Sequence, residues 1–131
     1  MMKPTVRGVH HIKLPVSDIV ASRAFYEDLF ALNVLHEFLD GDGVARGVAY
    51  APIGGVSLAL REDPARATAL RGYDPLAFSV EDDRAIHAWI AHLGAHGIPV
   101  TGPAAGTTGL VVGFDDPDGI TIVLYSGAPA S

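Results

Sequence analysis

One stretch of this chain occurs twice, and that repeat constrains the fold more than any other feature. Val9-His10-His11-Ile12-Lys13-Leu14-Pro15-Val16-Ser17-Asp18 reads as a strand followed by a helix cap. Sixty-four residues later the chain reads Tyr73-Asp74-Pro75-Leu76-Ala77-Phe78-Ser79-Val80-Glu81-Asp82. The match needs no gap from Arg7/Arg71 to Arg61/Tyr125, and it carries 11 identities in 55 pairs. Val16/Val80, Asp18/Asp82, Leu29/Leu93, Val48/Val112, Gly55/Gly119 and Leu60/Leu124 are among them. Two copies are too few for a solenoid. The expectation is one domain over residues 1–131, built from two similar halves at about 7–61 and 71–125.

The order of elements follows from periodicity. Ile12, Leu14 and Val16 alternate with His11, Lys13 and Pro15, the period of a half-buried strand. Ser17 or Asp18 caps a helix to about Ala31, with Ala21, Phe25, Leu29 and Leu32 as its apolar face. Strands are expected at Val34 to Leu39, Val44 to Ala51 and Val56 to Arg61, separated by the turn signals Asp40-Gly41-Asp42-Gly43 and Pro52-Ile53-Gly54-Gly55. The first half is therefore βαβββ. A polar linker from Glu62 to Leu70 leads into the second half. There Leu76, Phe78 and Val80 alternate, and Ile86, Trp89, Ile90 and Leu93 form one helical face. Pro99 to Pro103 is a weak edge strand, and Leu110 to Phe114 and Ile120 to Tyr125 are the last two. The tail from Ser126 to Ser131 is expected to be loose.

Composition limits the function classes. Hydrophobic residues make up 49% of the chain, enough for a core. The net charge of −6 argues against nucleic-acid or acidic-lipid partners, which reward clustered cations. With no cysteine, disulfides are excluded. Neither a signal peptide nor a membrane span is visible, so a cytoplasmic protein handling a small molecule is expected.

The repeat and its motifs resemble the vicinal oxygen chelate superfamily, which includes glyoxalase I, extradiol dioxygenases, fosfomycin-resistance enzymes and bleomycin-resistance proteins. The resemblance rests on His11-Ile12-Lys13-Leu14-Pro15-Val16-Ser17-Asp18, on Phe25-Tyr26, on Leu76-Ala77-Phe78-Ser79-Val80 and on the turn Asp116-Pro117-Asp118-Gly119. It implies an α+β fold of two tandem βαβββ modules, whose curled mixed sheets form cups around a cavity, and a homodimer. It also implies four metal-ligand positions, which fall here on His11, Ala59, Pro75 and Val123. Of these, only His11 carries a donor side chain. A divalent ion held by nitrogen and oxygen needs about three protein ligands, so the site is expected to be lost, with no cofactor and a divalent metal disfavoured.

Alternation assigns His11, Lys13, Ser57, Arg61, Ser79, Thr121 and Tyr125 to the cup faces as ligand-binding candidates. His11 and Lys13 stand roughly 7 Å apart on one strand face. Three functions remain open on these residues. The first is a metal-independent small-molecule binder without turnover. The second is a lyase or isomerase acting on a carbonyl compound, with His11 as acid or base and Lys13 or Arg61 as anion clamp. The third is a glyoxalase- or dioxygenase-like metalloenzyme with unusual ligands, such as His11 with His36 and Glu37. His10 is read as structural, on the opposite strand face from His11. His92 and His96 have the i, i+4 spacing of a zinc helix, but Gly94 between them is expected to end the helix. Asp115, Asp116 and Asp118 lack the length of a calcium loop and read as a turn. Phe25 and Trp89, at equivalent repeat positions, are read as core.

Overall fold

The structure is a computed structural model and describes residues 2–128. It divides into two compact units, Met1–Arg66 and Ala67–Ser131. The first contains β1 (His11–Val16), α1 (Ile19–Phe30), β2 (Val34–Leu39), β3 (Ala45–Tyr50) and β4 (Ser57–Glu62). A short helix, α2 (Pro64–Ala69), lies in the linker. The second unit contains β5 (Leu76–Val80), α3 (Asp83–Ala95), β6 (Thr101–Ala105), β7 (Leu110–Asp115) and β8 (Thr121–Ser126). The expected βαβββ plan is present twice. None of the helices among the described residues is long and apolar enough to cross a membrane.

Each unit is a four-stranded mixed sheet, in the orders β1-β4-β3-β2 and β5-β8-β7-β6. The parallel pair is the first and last strand of each unit. The repeat is legible down to the register. Ile12 pairs with Leu58, and 64 residues on Leu76 pairs with Ile122. Val48 pairs with Leu60, and Val112 with Leu124. The bond from Asp63 N to Val16 O recurs as Gly127 N to Val80 O, both at 2.8 Å.

Burial explains why these registers hold. Leu14, Val16, Val48, Tyr50, Leu58 and Leu60 are buried in the first unit, and Ile122, Leu124, Val112 and Phe114 in the second. A one-residue slip would carry each set to the other face of its sheet. Asp18 caps α1 through the amides of Val20 and Ala21, and Asp82 caps α3 through that of Ala85. Both outer edges are exposed along their length, but β2 carries the apolar Val34, Leu35, Phe38 and Leu39. β6 is blunted by Gly102 and Pro103.

Several expectations change. The buried face of α1 is Ile19, Ser22, Tyr26 and Leu29, one position away from the expected stripe, and Phe25 and Trp89 are half-buried rather than core. Gly94 does not end α3: the helix runs to Ala95, and the Ile98 amide donates back to Leu93. The weak edge strand lies two residues later than expected, as β6. Ser126 is buried at the end of β8 rather than loose. The rest of the expected loose tail, from Pro129 onward, lies outside the described residues.

Candidate functional site

In each unit one sheet face packs against its helix and the other is open. Pairing places side chains of partnered residues on the same face, so the open faces can be read row by row. In the first unit one row runs Lys13, Ala59, Ala49, His36, and the next Pro15, Arg61, Gly47, Phe38. His11 and Ser57 form a third. Phe38 lies over Gly47, where an added Cβ would come within 3.5 Å of its ring. This face thus carries Lys13, Arg61, His11 and His36, with no carboxylate in the three rows.

The open face of the second unit has the same geometry and different chemistry. Its rows run Ala77, Val123, Gly113, Thr101, then Ser79, Tyr125, Val111, Ala104, with Thr121 beside Asp115. All of these but Ala77 and Ser79 line a hollow of about 520 Å³, bordered also by Asp74, Pro99 and Val100. No Lys, Arg or His lines it. Asp115 accepts from the Thr121 hydroxyl at 2.9 Å. The Tyr125 ring stands against the Gly106 backbone, where a Cβ would come within 3.2 Å of it. The ring is therefore held as a wall of the hollow.

The candidate residues separate into two groups. His11, Lys13, Ser57 and Arg61 share the first face, and Ser79, Thr121 and Tyr125 the second. The Ser79 hydroxyl donates to the Gly127 carbonyl. The His10 expectation is corrected. β1 begins at His11, so strand alternation does not govern His10, and the two rings meet edge to face with their Nδ1 atoms 3.0 Å apart. Sequence reasoning missed Asp74 and Asp115 as lining groups. Asp115 was absorbed into a turn, although its alternation with Val111 and Gly113 places it on the open face.

The opposite face of the first sheet explains why Glu37 does not join His36. Glu37 accepts from Arg23 Nη1 at 2.5 Å, and Arg23 Nε also donates to Glu27 at 2.8 Å. These bonds to two carboxylates raise the Arg23 pKa further. The Tyr50 hydroxyl donates to Glu27 at 2.9 Å, and burial, followed by that bond, pushes the phenol above its ordinary value. Glu37 is thus committed to the helix side.

The four ligand positions that the resemblance implies hold one donor side chain, His11. Ala59, Pro75 and Val123 offer no donor atoms in their side chains, and among the described residues no three His, Cys, Asp or Glu side chains are grouped to hold a metal ion. His92 and His96 do sit on a continuous helix, with rings 4.6 Å apart, but His96 Nδ1 lies 2.9 Å from the His92 carbonyl oxygen. The carboxylate of Asp116 accepts the amides of Asp118 and Ile120, which makes that segment a turn. Neither of these groupings brings three donor side chains together among the described residues.

Comparison with known proteins agrees with the fold. Residues 8–124 match the Glyoxalase/Bleomycin resistance protein/Dioxygenase superfamily. A metallothiol transferase FosB from Shouchella clausii is 29% identical over 130 residues, covering 95% of this chain and 84% of that protein. Among solved structures, TnmS3, an antibiotic binding protein from Streptomyces sp. CB03234, superposes with a TM-score of 0.76 at 29% identity, covering 96% of this chain and all of that one. A glyoxylase/bleomycin resistance protein/dioxygenase domain from Frankia sp. EAN1pec gives 0.75 at 26% identity, covering 95% of this chain and all of that one.

Proposed function

Because the chain belongs to the Glyoxalase/Bleomycin resistance protein/Dioxygenase superfamily, we propose that it binds a small organic molecule on an open sheet face, without a catalytic metal. The observation that carries this reading is the donor set. Where the superfamily resemblance places four ligands, this chain has His11, Ala59, Pro75 and Val123, and one imidazole is too few for a stable divalent site. The hollow of the second unit supports binding: it is concave and largely apolar with a few polar groups, the usual character of a small-molecule site. The likeness to TnmS3, described as an antibiotic binding protein, supports the same reading, and the likeness to metallothiol transferases is the rival it must survive.

The test is the metal content of purified, untagged protein by mass spectrometry, followed by thermal shift with zinc, nickel, manganese and ferrous ions. A panel of antibiotics is then titrated calorimetrically in the presence of a chelator. The expected result is metal far below one equivalent, no ion-induced shift, and ligand binding that persists in chelator. Near-stoichiometric metal that is lost in His11→Ala overturns the reading.

A second reading rests on the His10–His11 pair. An Nδ1 to Nδ1 bond needs one ring to donate and the other to accept, so the two imidazoles share a proton-bearing contact beside Lys13. That arrangement suits proton transfer at a carbonyl compound, with Lys13 or Arg61 clamping an anion. Turnover that survives chelation and disappears in His11→Ala would favour it over simple binding.

A further inference from the structure

We propose that the hollow of the second unit selects an organic cation, an amine or quaternary ammonium carried on a flat apolar body. This rests on the metal-free binding reading and adds the chemical class of the guest. The protein's net charge would suit such a guest, but the cations of the first face oppose it. Treating the faces separately resolves the conflict. The repeat places Arg61, Lys13 and His11 at the positions of Tyr125, Ala77 and Pro75. Where the first face presents Lys13, Arg61 and the imidazole of His11 from β1 and β4, the second presents no basic side chain.

What remains charged in the hollow is one-signed. Asp74 and Asp115 lie among its lining residues, and no lining residue is basic. Asp115 is bonded to the Thr121 hydroxyl, and neither carboxylate forms an ion pair among the described residues. The rest of the lining is largely apolar or aromatic, with Val111, Val123 and Tyr125 on the open face. A cation entering here meets two carboxylates and a lining tyrosine, whose aromatic ring can also attract positive charge. An anion meets the same carboxylates and no counter-charge. The volume of about 520 Å³ is within the range of pockets that take drug-sized molecules.

The probe is berberine, a flat quaternary cation whose fluorescence rises on leaving water. It is titrated into the intact chain in low salt and in about 0.3 M NaCl, where charges are screened within several Å. The variants are Asp74→Asn with Asp115→Asn, and the charge-matched control Asp28→Asn with Asp42→Asn, two exposed carboxylates outside the hollow's lining. Asn at 115 can still accept from Thr121, so the fold is kept, and circular dichroism confirms it. We expect saturable binding that weakens about tenfold in the Asp74/Asp115 variant, weakens with salt in the wild type, and changes less than twofold in the Asp28/Asp42 control. No berberine binding, or binding that ignores both salt and the Asp substitutions, overturns the inference. Either failure leaves the metal-free reading standing, because metal content and chelator-resistant antibiotic binding are measured separately.

Discussion

The two units share a register and differ in what they do with it. Every antiparallel pairing of the last strand in the first unit, and every parallel one but His11 with Ser57, recurs 64 residues on in the second, and Asp18 and Asp82 cap equivalent helices. Yet paired positions have exchanged roles. In the first unit the helix begins with Ile19, whose amide is accepted by Glu62 of β4 at 3.0 Å. In the second the acid sits on the helix instead, as Asp83, and takes the hydroxyl of Ser126, the equivalent of Glu62, at 2.6 Å. One carboxylate is kept at the junction of helix and last strand, supplied from opposite sides. The requirement is for the interaction, and either element can meet it.

The largest difference between the units should appear at Gly109. It lies at φ +154°, and a Cβ there would run into the Ser126 hydroxyl and come within 2.9 Å of Asp83 Oδ1. Its equivalent in the first unit is Ala45, which carries a Cβ. Gly109→Ala should cost about 2–4 kcal/mol in urea unfolding, and Ala45→Gly no more than about 1 kcal/mol. Equal costs would mean the two junctions are not built differently.

A smaller effect, of opposite sign, is expected at Ser22. Its side chain is 1% exposed and its hydroxyl has no hydrogen-bond partner, whereas the equivalent position in the second unit is the buried Ile86. Ser22→Ala should raise the melting temperature, by a gain of about 1 kcal/mol, because an unpaired buried hydroxyl is removed. A fall would show that the hydroxyl is satisfied in solution.

The smallest effect is electrostatic. The Ser126 hydroxyl and the Leu110 amide hold the Asp83 carboxyl below the usual aspartate range. A depressed folded pKa means the charged form stabilises the fold above the unfolded value, about 3.9, and that this is lost as pH falls through the lower folded value. Asp83→Asn should therefore melt slightly below wild type at neutral pH, and the gap should close in acid. A gap independent of pH would assign the loss to geometry rather than charge.

The sequence made the element order and the 64-residue repeat plain because both depend on local patterns: alternation in β1 and β5, Asp caps, and a constant offset. Three features were less legible for physical reasons. The buried stripe of α1 lies one position from the expected one because Tyr26, amphipathic and adjacent to Phe25, takes the core side. Helix α3 passes Gly94 because a single glycine weakens a helix by only about 1 kcal/mol, less than the packing of Ile86 and Leu93 supplies. The acidic character of the second open face was hidden because Asp115 stands beside a turn motif, where acids are commonplace. Ser57, Thr121 and Tyr125 could be placed by alternation alone. His10 could not, because it precedes the strand that would have oriented it.

The 64-residue register also bears on how such a chain can change over generations. A strand with one packed face and one open face keeps two records in alternate letters: one must stay fixed for the sheet to form, and the other can be rewritten. Leu60 and Leu124 are identical across the copies, while their neighbours Arg61 and Tyr125 have parted into a cation and a phenol. After a duplication, one copy can hold an old surface while its twin explores a new one, and neither risks the fold they share.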